Sequence, residues 1–214
     1  MRAVLRRLLV LLPLLLLGAA AAEAHPHVWI IAVSELLYAP DGSLTGVRHA
    51  WTFNDMFASY ALQGIEAKTK GAYTREELAP LADTNVEALK EYAYFAYARA
   101  DGGKKEKFSE PVDYFLDYKD GQLTLHFTLP LKTPLRAKQL SLEVFDPTFF
   151  VDFQLAKSDP VKLVTAPAGC KLAFQRPNDG SAAAQKLNEQ TFASGGENAN
   201  YGAMFANRIT VDCP

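Results

Sequence analysis

Two histidines near the start of the chain are the residues best suited to chemistry. His25 and His27 stand in the segment His-Pro-His-Val-Trp, directly after a stretch with the features of an export signal. If cleavage follows Ala24, His25 supplies an α-amine and an imidazole, which both deprotonate near neutral pH and can then bind a metal. Imidazole and amine nitrogens suit zinc, nickel, cobalt and copper. The segment therefore predicts a transition-metal site.

The other ligands of this site are less well defined by the sequence. The proline between the two histidines has no backbone N–H, which excludes a copper or nickel site built on deprotonated amides. His126 alternates with apolar residues and is expected to face away from the core. His49 is expected to lie roughly 20 Å from His27 along a β-hairpin. Asp146 begins the segment Asp146–Asp152, which could place carboxylates near a site. The lesser ligand candidates are therefore His126 and Asp146, and His49 is excluded from an ion shared with His27.

The first 24 residues have the three parts of an export signal. Three arginines precede an apolar run from Leu8 to Leu17, and Ala22-Glu23-Ala24 is a small-x-small cleavage site. The apolar run is shorter than the about 20 residues that a membrane-spanning helix needs. We therefore expect a periplasmic mature domain of residues 25–214 with no membrane span.

Composition and motifs argue against nucleic-acid binding and against the common classes of enzyme. The chain has 22 Lys and Arg against 24 Asp and Glu, and no basic cluster outside its first seven residues. A surface that binds nucleic acid needs such a cluster. The chain also lacks the serine-hydrolase elbow, the phosphate-binding loop and the zinc-protease helix motif. The sequence predicts a non-catalytic protein that does not bind nucleic acid.

The cysteines predict a structural disulfide. Cys170 and Cys213 are the only two, and an even number in an exported protein favours a bridge over a metal or catalytic site. The bridge would close a loop of about 44 residues and contribute about 3 to 4 kcal/mol on the chain-entropy account.

Period-two alternation of apolar and polar residues dominates the mature chain and predicts a mainly β protein. A turn cluster at 39–43 joins the first two strands into a hairpin in which Val33 lies opposite His49. Short strands with regular turn signals favour an antiparallel β-sandwich-like domain. The predicted strands are His27–Leu37, Gly46–Phe53, Tyr92–Ala98, Tyr114–Tyr118, Gln122–Leu129, Gln139–Phe145, Phe149–Leu155, Val161–Ala166, Lys171–Phe174 and Arg208–Cys213.

Two helical segments interrupt this pattern. Residues 54–90 are predicted to form a helix-turn-helix insertion, because Thr74 and Glu77 have the spacing of a capping box at the start of its second helix. The segment Ser181–Ala193 is rich in alanine, glutamine and leucine and predicts one further surface helix.

The turn inside the insertion has the register of an EF-hand calcium loop. With Gly71 as the sharp-turn glycine in position six, Glu66 takes position one and Glu77 the bidentate position twelve. Lys68 and Lys70 occupy positions three and five, where calcium requires oxygen donors. We therefore expect a degenerate loop that keeps the shape and does not bind calcium.

Five ordered motifs span essentially the whole mature chain: His25–Trp29, Arg48–Phe53, Tyr73–Leu81, Leu123–Leu135 and Phe145–Pro147. Together they resemble a bacterial family of exported proteins of unknown function, commonly labelled periplasmic components of an uncharacterised ABC-type transport system. Members often occur beside nickel/cobalt-type or zinc-related permeases, and some keep Asp and Asn where this chain has Lys68 and Lys70. The resemblance implies an accessory of transition-metal transport whose partner is an inner-membrane permease.

Two alternatives stay open from the sequence. An N-terminal His with its own amine and a second imidazole is also the ligand set of the copper histidine brace, as in lytic polysaccharide monooxygenases and in copper chaperones of sandwich fold. In the other alternative the protein binds no metal, and the helical insertion docks on a membrane transporter.

Overall fold

The computed structural model describes residues 26–103, 105–177 and 201–214. The predicted export signal, His25 and the helix expected at Ser181–Ala193 lie outside these residues. The described ranges contain the elements β1 (Val28–Tyr38), β2 (Leu44–Phe53), α1 (Asp55–Ala61), α2 (Arg75–Glu91), β3 (Ala96–Ala100), β4 (Val112–Lys119), β5 (Gln122–Leu135), β6 (Gln139–Val144), β7 (Val151–Leu155), β8 (Val161–Val164), β9 (Lys171–Gln175) and β10 (Asn207–Asp212).

The strands form two sheets. One has the order β4-β5-β2-β1-β7, and β8 continues the edge by pairing with β1 beyond β7; the other has the order β3-β6-β10-β9. The expectation of purely antiparallel pairing is wrong for the first sheet, because β7 and β8 both run parallel to β1. β7 enters this sheet from β6, which belongs to the other sheet, so no tight hairpin dictates its direction. Alternation within a strand carries no information on the direction of its partner.

A single hydrophobic core receives side chains from both sheets and from α2. Trp51, Phe127 and Phe153 are its largest fully buried side chains. The Asn207 side-chain amide in β10 donates to the Phe153 carbonyl oxygen in β7 at 2.6 Å and so joins the two sheets through a buried hydrogen bond.

A β-bulge sets the register of the first hairpin. Tyr38 pairs with Leu44, but the register then shifts by one residue and His49 lies opposite Ser34. The predicted pairing of His49 with Val33 is therefore wrong by one position. A slip of one residue changes the sheet face on which the paired side chain lies, and the observed register puts His49 beside the buried Ser34.

Helix α2 carries the predicted capping box. The Thr74 hydroxyl accepts from the Glu77 N–H at 3.2 Å, and the Glu77 carboxylate accepts from the Thr74 N–H at 2.8 Å. Such caps satisfy backbone donors that have no partner within the helix.

The predicted start of β3 at Tyr92 is wrong. The residues Ala93, Tyr94 and Phe95 have φ values of 50°, 55° and 50° and form a tight turn between α2 and β3. This backbone turn lets Tyr94 and Phe95 pack into the core before the strand begins at Ala96.

The predicted disulfide is confirmed. Cys170 and Cys213 are bonded, with Cα atoms 4.1 Å apart. The bridge joins the start of β9 to the end of β10, which are also paired by backbone hydrogen bonds.

Candidate functional site

His27 lies at the edge of the six-stranded sheet, immediately before β1. Its side chain is exposed, and its backbone N–H donates to the Phe150 carbonyl oxygen at 2.9 Å. The imidazole packs against the Phe150 ring, with 4.7 Å between the ring centroids. Backbone and ring contacts with one residue therefore fix His27 at the edge of the sheet.

His126 does not lie near His27. Ala50 in β2 pairs with Val33 on one side and with His126 on the other, so two strand spacings separate His126 from β1. His27 lies six positions before Val33, which puts it roughly 20 Å or more from His126. His126 instead contacts Asp117, at 3.3 Å between Nε2 and Oδ2. These two histidines cannot bind the same ion within one chain.

The Asp146 carboxylate holds the turn that leads into β7. Its Oδ1 accepts hydrogen bonds from the backbone N–H and the hydroxyl of Thr148, both at 2.8 Å, and its Oδ2 accepts from the Val151 N–H at 3.0 Å. Asp146 therefore belongs to the same corner of the fold as Phe150 and His27. Among the described residues, no group of three or more His, Cys, Asp and Glu side chains is arranged to hold a metal.

His49 is a core residue. Its Nδ1 lies 3.0 Å from the Ser34 hydroxyl, and its ring packs between Trp51 and Phe127. Burial lowers the pKa of His49 to about 3, so the imidazole is neutral at physiological pH. Its Nε2 and the indole N–H of Trp51 are buried without a hydrogen-bond partner in the described structure. The exclusion of His49 from the metal site agrees with this location.

The calcium-type loop is closed by its own carboxylate. Gly71 has a φ of 77°, the left-handed conformation that favours glycine at a sharp turn. Glu77 accepts backbone hydrogen bonds from Thr74 and from Lys68, at 2.8 and 2.9 Å, and both lower the pKa of its carboxyl group. Glu66 is exposed. The residue expected at the bidentate ligand position therefore binds loop backbone, and the absence of calcium binding stays a prediction.

A cavity of about 370 Å³ opens between the six-stranded sheet, α2 and the turn before β7. Asp146, Thr148 and Asn85 are its polar lining residues, and Phe150 joins its wall to His27. Sequence reasoning missed this cavity, because its wall comes from segments far apart in the chain. Its aromatic lining residues are Trp51, Phe53, Phe57, Tyr92, Phe95 and Phe150.

These features define a mainly β protein with an aromatic cavity and a histidine beside the cavity wall. Within the described ranges, no helix has both the length and the apolar character needed to cross a membrane. The chain belongs to the family described as "Protein of unknown function (DUF1007)", which matches residues 10–213. The predicted membership of a family of unknown function is thereby confirmed.

Two relatives are similar to this chain over much of their length. An uncharacterised protein of Haemophilus influenzae is 26% identical over 194 residues, which cover 89% of this chain and 91% of the relative. An uncharacterised 15.5 kDa protein in the trpE 3' region of Spirochaeta aurantia is 35% identical over 100 residues, or 46% of this chain and 71% of the relative. Neither description assigns an activity.

Proposed function

We propose that this protein is an exported, non-catalytic accessory of transition-metal transport that binds zinc, nickel, cobalt or copper through its amino-terminal His-Pro-His segment. The observation that carries the proposal is the position of His27, which is exposed and anchored to Phe150 by a backbone hydrogen bond. The anchor holds one imidazole at the edge of the sheet. The amine and imidazole of His25 complete the proposed ligand set.

Such a ligand set suits delivery of the ion. His126 lies too far away to contribute, and Asp146 uses three of its about four acceptor positions to hold the turn before β7. The ion would therefore take at most three nitrogens from one short segment, which leaves a tetrahedral ion with an open position. A ligand from the inner-membrane permease that we propose as partner could occupy this position during transfer.

The proposed compartment is the periplasm. The disulfide between Cys170 and Cys213 is typical of proteins that fold in an oxidising environment. The features of an export signal in the first 24 residues support the same location.

The test is a calorimetric titration of metal ions into the mature protein that begins at His25. One extra glycine before His25 removes a chelate ring and keeps every side chain, so we expect binding at least about tenfold weaker, or about 1.4 kcal/mol. His27→Ala should weaken binding separately, and acidification through about pH 6.5 should release the ion.

The matched control is His126→Ala, which removes an imidazole distant from the segment and should leave affinity unchanged. Native affinity in both the extended variant and His27→Ala would place the site elsewhere and refute the proposal. Oxygen-dependent turnover with copper would instead favour the histidine-brace alternative.

A further inference from the structure

We propose that the cavity between the six-stranded sheet and α2 binds a small organic cation, an ammonium group carried on an apolar body. The inference rests on the lining of the cavity and is independent of the amino-terminal metal site. The cavity volume of about 370 Å³ lies near the lower end of the range for small-molecule sites, which fits a ligand of modest size.

The charged groups in the described lining of the cavity are acidic only. Among the lining residues that the structure describes, Asp146 has the only carboxyl group, and none is Lys, Arg or His. Asp146 is only 3% exposed. The described part of the chain gives this carboxylate no ion-pair partner. A buried carboxylate without a counter-ion favours the entry of a cation and opposes that of an anion.

The carboxylate also has room for one more donor. It accepts two hydrogen bonds from Thr148 and one from Val151, whereas an ionised carboxylate has about four acceptor positions. The same bonds hold the Asp146 side chain in one orientation. An ammonium N–H can therefore add to Asp146 without disrupting the turn.

The aromatic wall favours the same ligand. Six aromatic rings line the cavity, and the face of each carries a partial negative charge that attracts cations. The remaining wall is mostly aliphatic and suits an apolar ligand body. A neutral apolar molecule would be stabilised by contacts with this wall alone. The carboxylate of a fatty acid would in addition be repelled by Asp146.

Three ligands with the same chain length separate these possibilities: n-octylammonium, n-octanol and n-octanoate. We would titrate each by calorimetry into the mature protein at pH 7.5, with a chelator present so that bound metal cannot contribute. The ammonium ligand should bind at least about tenfold more tightly than the alcohol, and octanoate should bind most weakly. Equal binding of ammonium and alcohol, tighter binding of octanoate, or no binding of any ligand would overturn the proposal.

A matched pair of variants locates the binding site. Ala88 and Ala79 are both exposed on α2, but only Ala88 lines the cavity. Ala88→Phe should therefore reduce octylammonium affinity at least about tenfold, while Ala79→Phe should retain it. Equal affinity in the two variants would refute this location.

Asp146→Asn tests the charge. It should reduce the preference for octylammonium over octanol at least about fivefold, and an unchanged preference would overturn the role of Asp146. Thermal unfolding checks that the variant is folded. If it is not, the ligand series and the pair on α2 still decide the proposal.

Discussion

The two faces of the six-stranded sheet give histidine side chains opposite environments. His49 in β2 lies opposite Phe127, the residue after His126 in β5, so the two histidines are neighbours on adjacent strands. His49 is fully buried among aromatic rings, whereas the His126 side chain is 30% exposed and contacts Asp117. The chemistry of a histidine in this protein is decided by the face toward which it points.

Around His49 the inner face is apolar, with the rings of Trp51 and Phe127 against the imidazole. The polar groups of this face are few, and within the described residues Ser34 supplies the one hydrogen bond of the His49 imidazole. The outer face is partly solvated, with Trp29 38% and Ile31 45% exposed. There the Thr52 and Thr124 hydroxyls hydrogen-bond across the strands at 2.9 Å. Substitutions on the inner face should therefore have larger effects on the free energy of unfolding.

The largest expected effect is the dependence of stability on pH through His49. Unfolding raises the pKa of His49 from about 3 to about 6.5, so below pH 6.5 the unfolded chain takes up a proton that the folded chain does not. Stability is lost as the pH falls from about 6.5 towards 3. At pH 4 this loss amounts to about 3 kcal/mol.

Urea unfolding at pH 7 and pH 4 would measure this effect. The native protein should lose about 3 kcal/mol more than His49→Gln, which keeps a polar neutral side chain and cannot titrate in this range. His126→Gln is the control, and it should lose nearly as much as the native protein. The same pH dependence in the native protein and His49→Gln would contradict the prediction.

A smaller effect is expected from substitution of Gly46. Most outer-face positions should tolerate substitution, but this one should not accept a larger side chain. A Cβ atom at this position would lie 2.5 Å from the Leu129 carbonyl oxygen and 3.0 Å from the Pro130 Cα, both parts of the β5 backbone. Gly46→Ala should therefore destabilise the protein by about 1 to 3 kcal/mol, as overpacking does.

Chemical denaturation of Gly46→Ala and of Thr128→Ala tests this expectation. Thr128 is a half-buried outer-face residue of β5, and its substitution should change stability by less than about 1 kcal/mol. Comparable losses in the two variants would show that the close approach at Gly46 is relieved by backbone movement.

The smallest effect is expected from His126→Gln at pH 7. The contact between His126 and Asp117 is partly exposed on both sides, and such pairs contribute about 0 to 1 kcal/mol. The free energy of unfolding should therefore fall by no more than about 1 kcal/mol. A loss above about 2 kcal/mol would mean that the outer face is covered and that the contact between His126 and Asp117 is desolvated.

The sequence alone predicted two kinds of feature: local ones, which depend on residues close together in the chain, and the disulfide, for which only one pairing of cysteines exists. Alternation located strands, because the side-chain period of two is local. The Thr74–Glu77 spacing marked the start of α2, since a capping box spans a single helical turn. With two cysteines in the chain, only one intramolecular pairing was available, and Cys170 and Cys213 form it.

Only the tertiary structure decided the direction of β7, the register at His49 and the cavity. These features depend on which segments meet, and a single bulge between β1 and β2 was enough to shift every later pair in the hairpin. The sequence made Asp146 a metal-ligand candidate, whereas its contacts with Thr148 and Val151 and its place in the cavity wall come from folding. Local patterns specify strands and caps, but the long-range packing of side chains determines what a buried carboxylate or histidine can do.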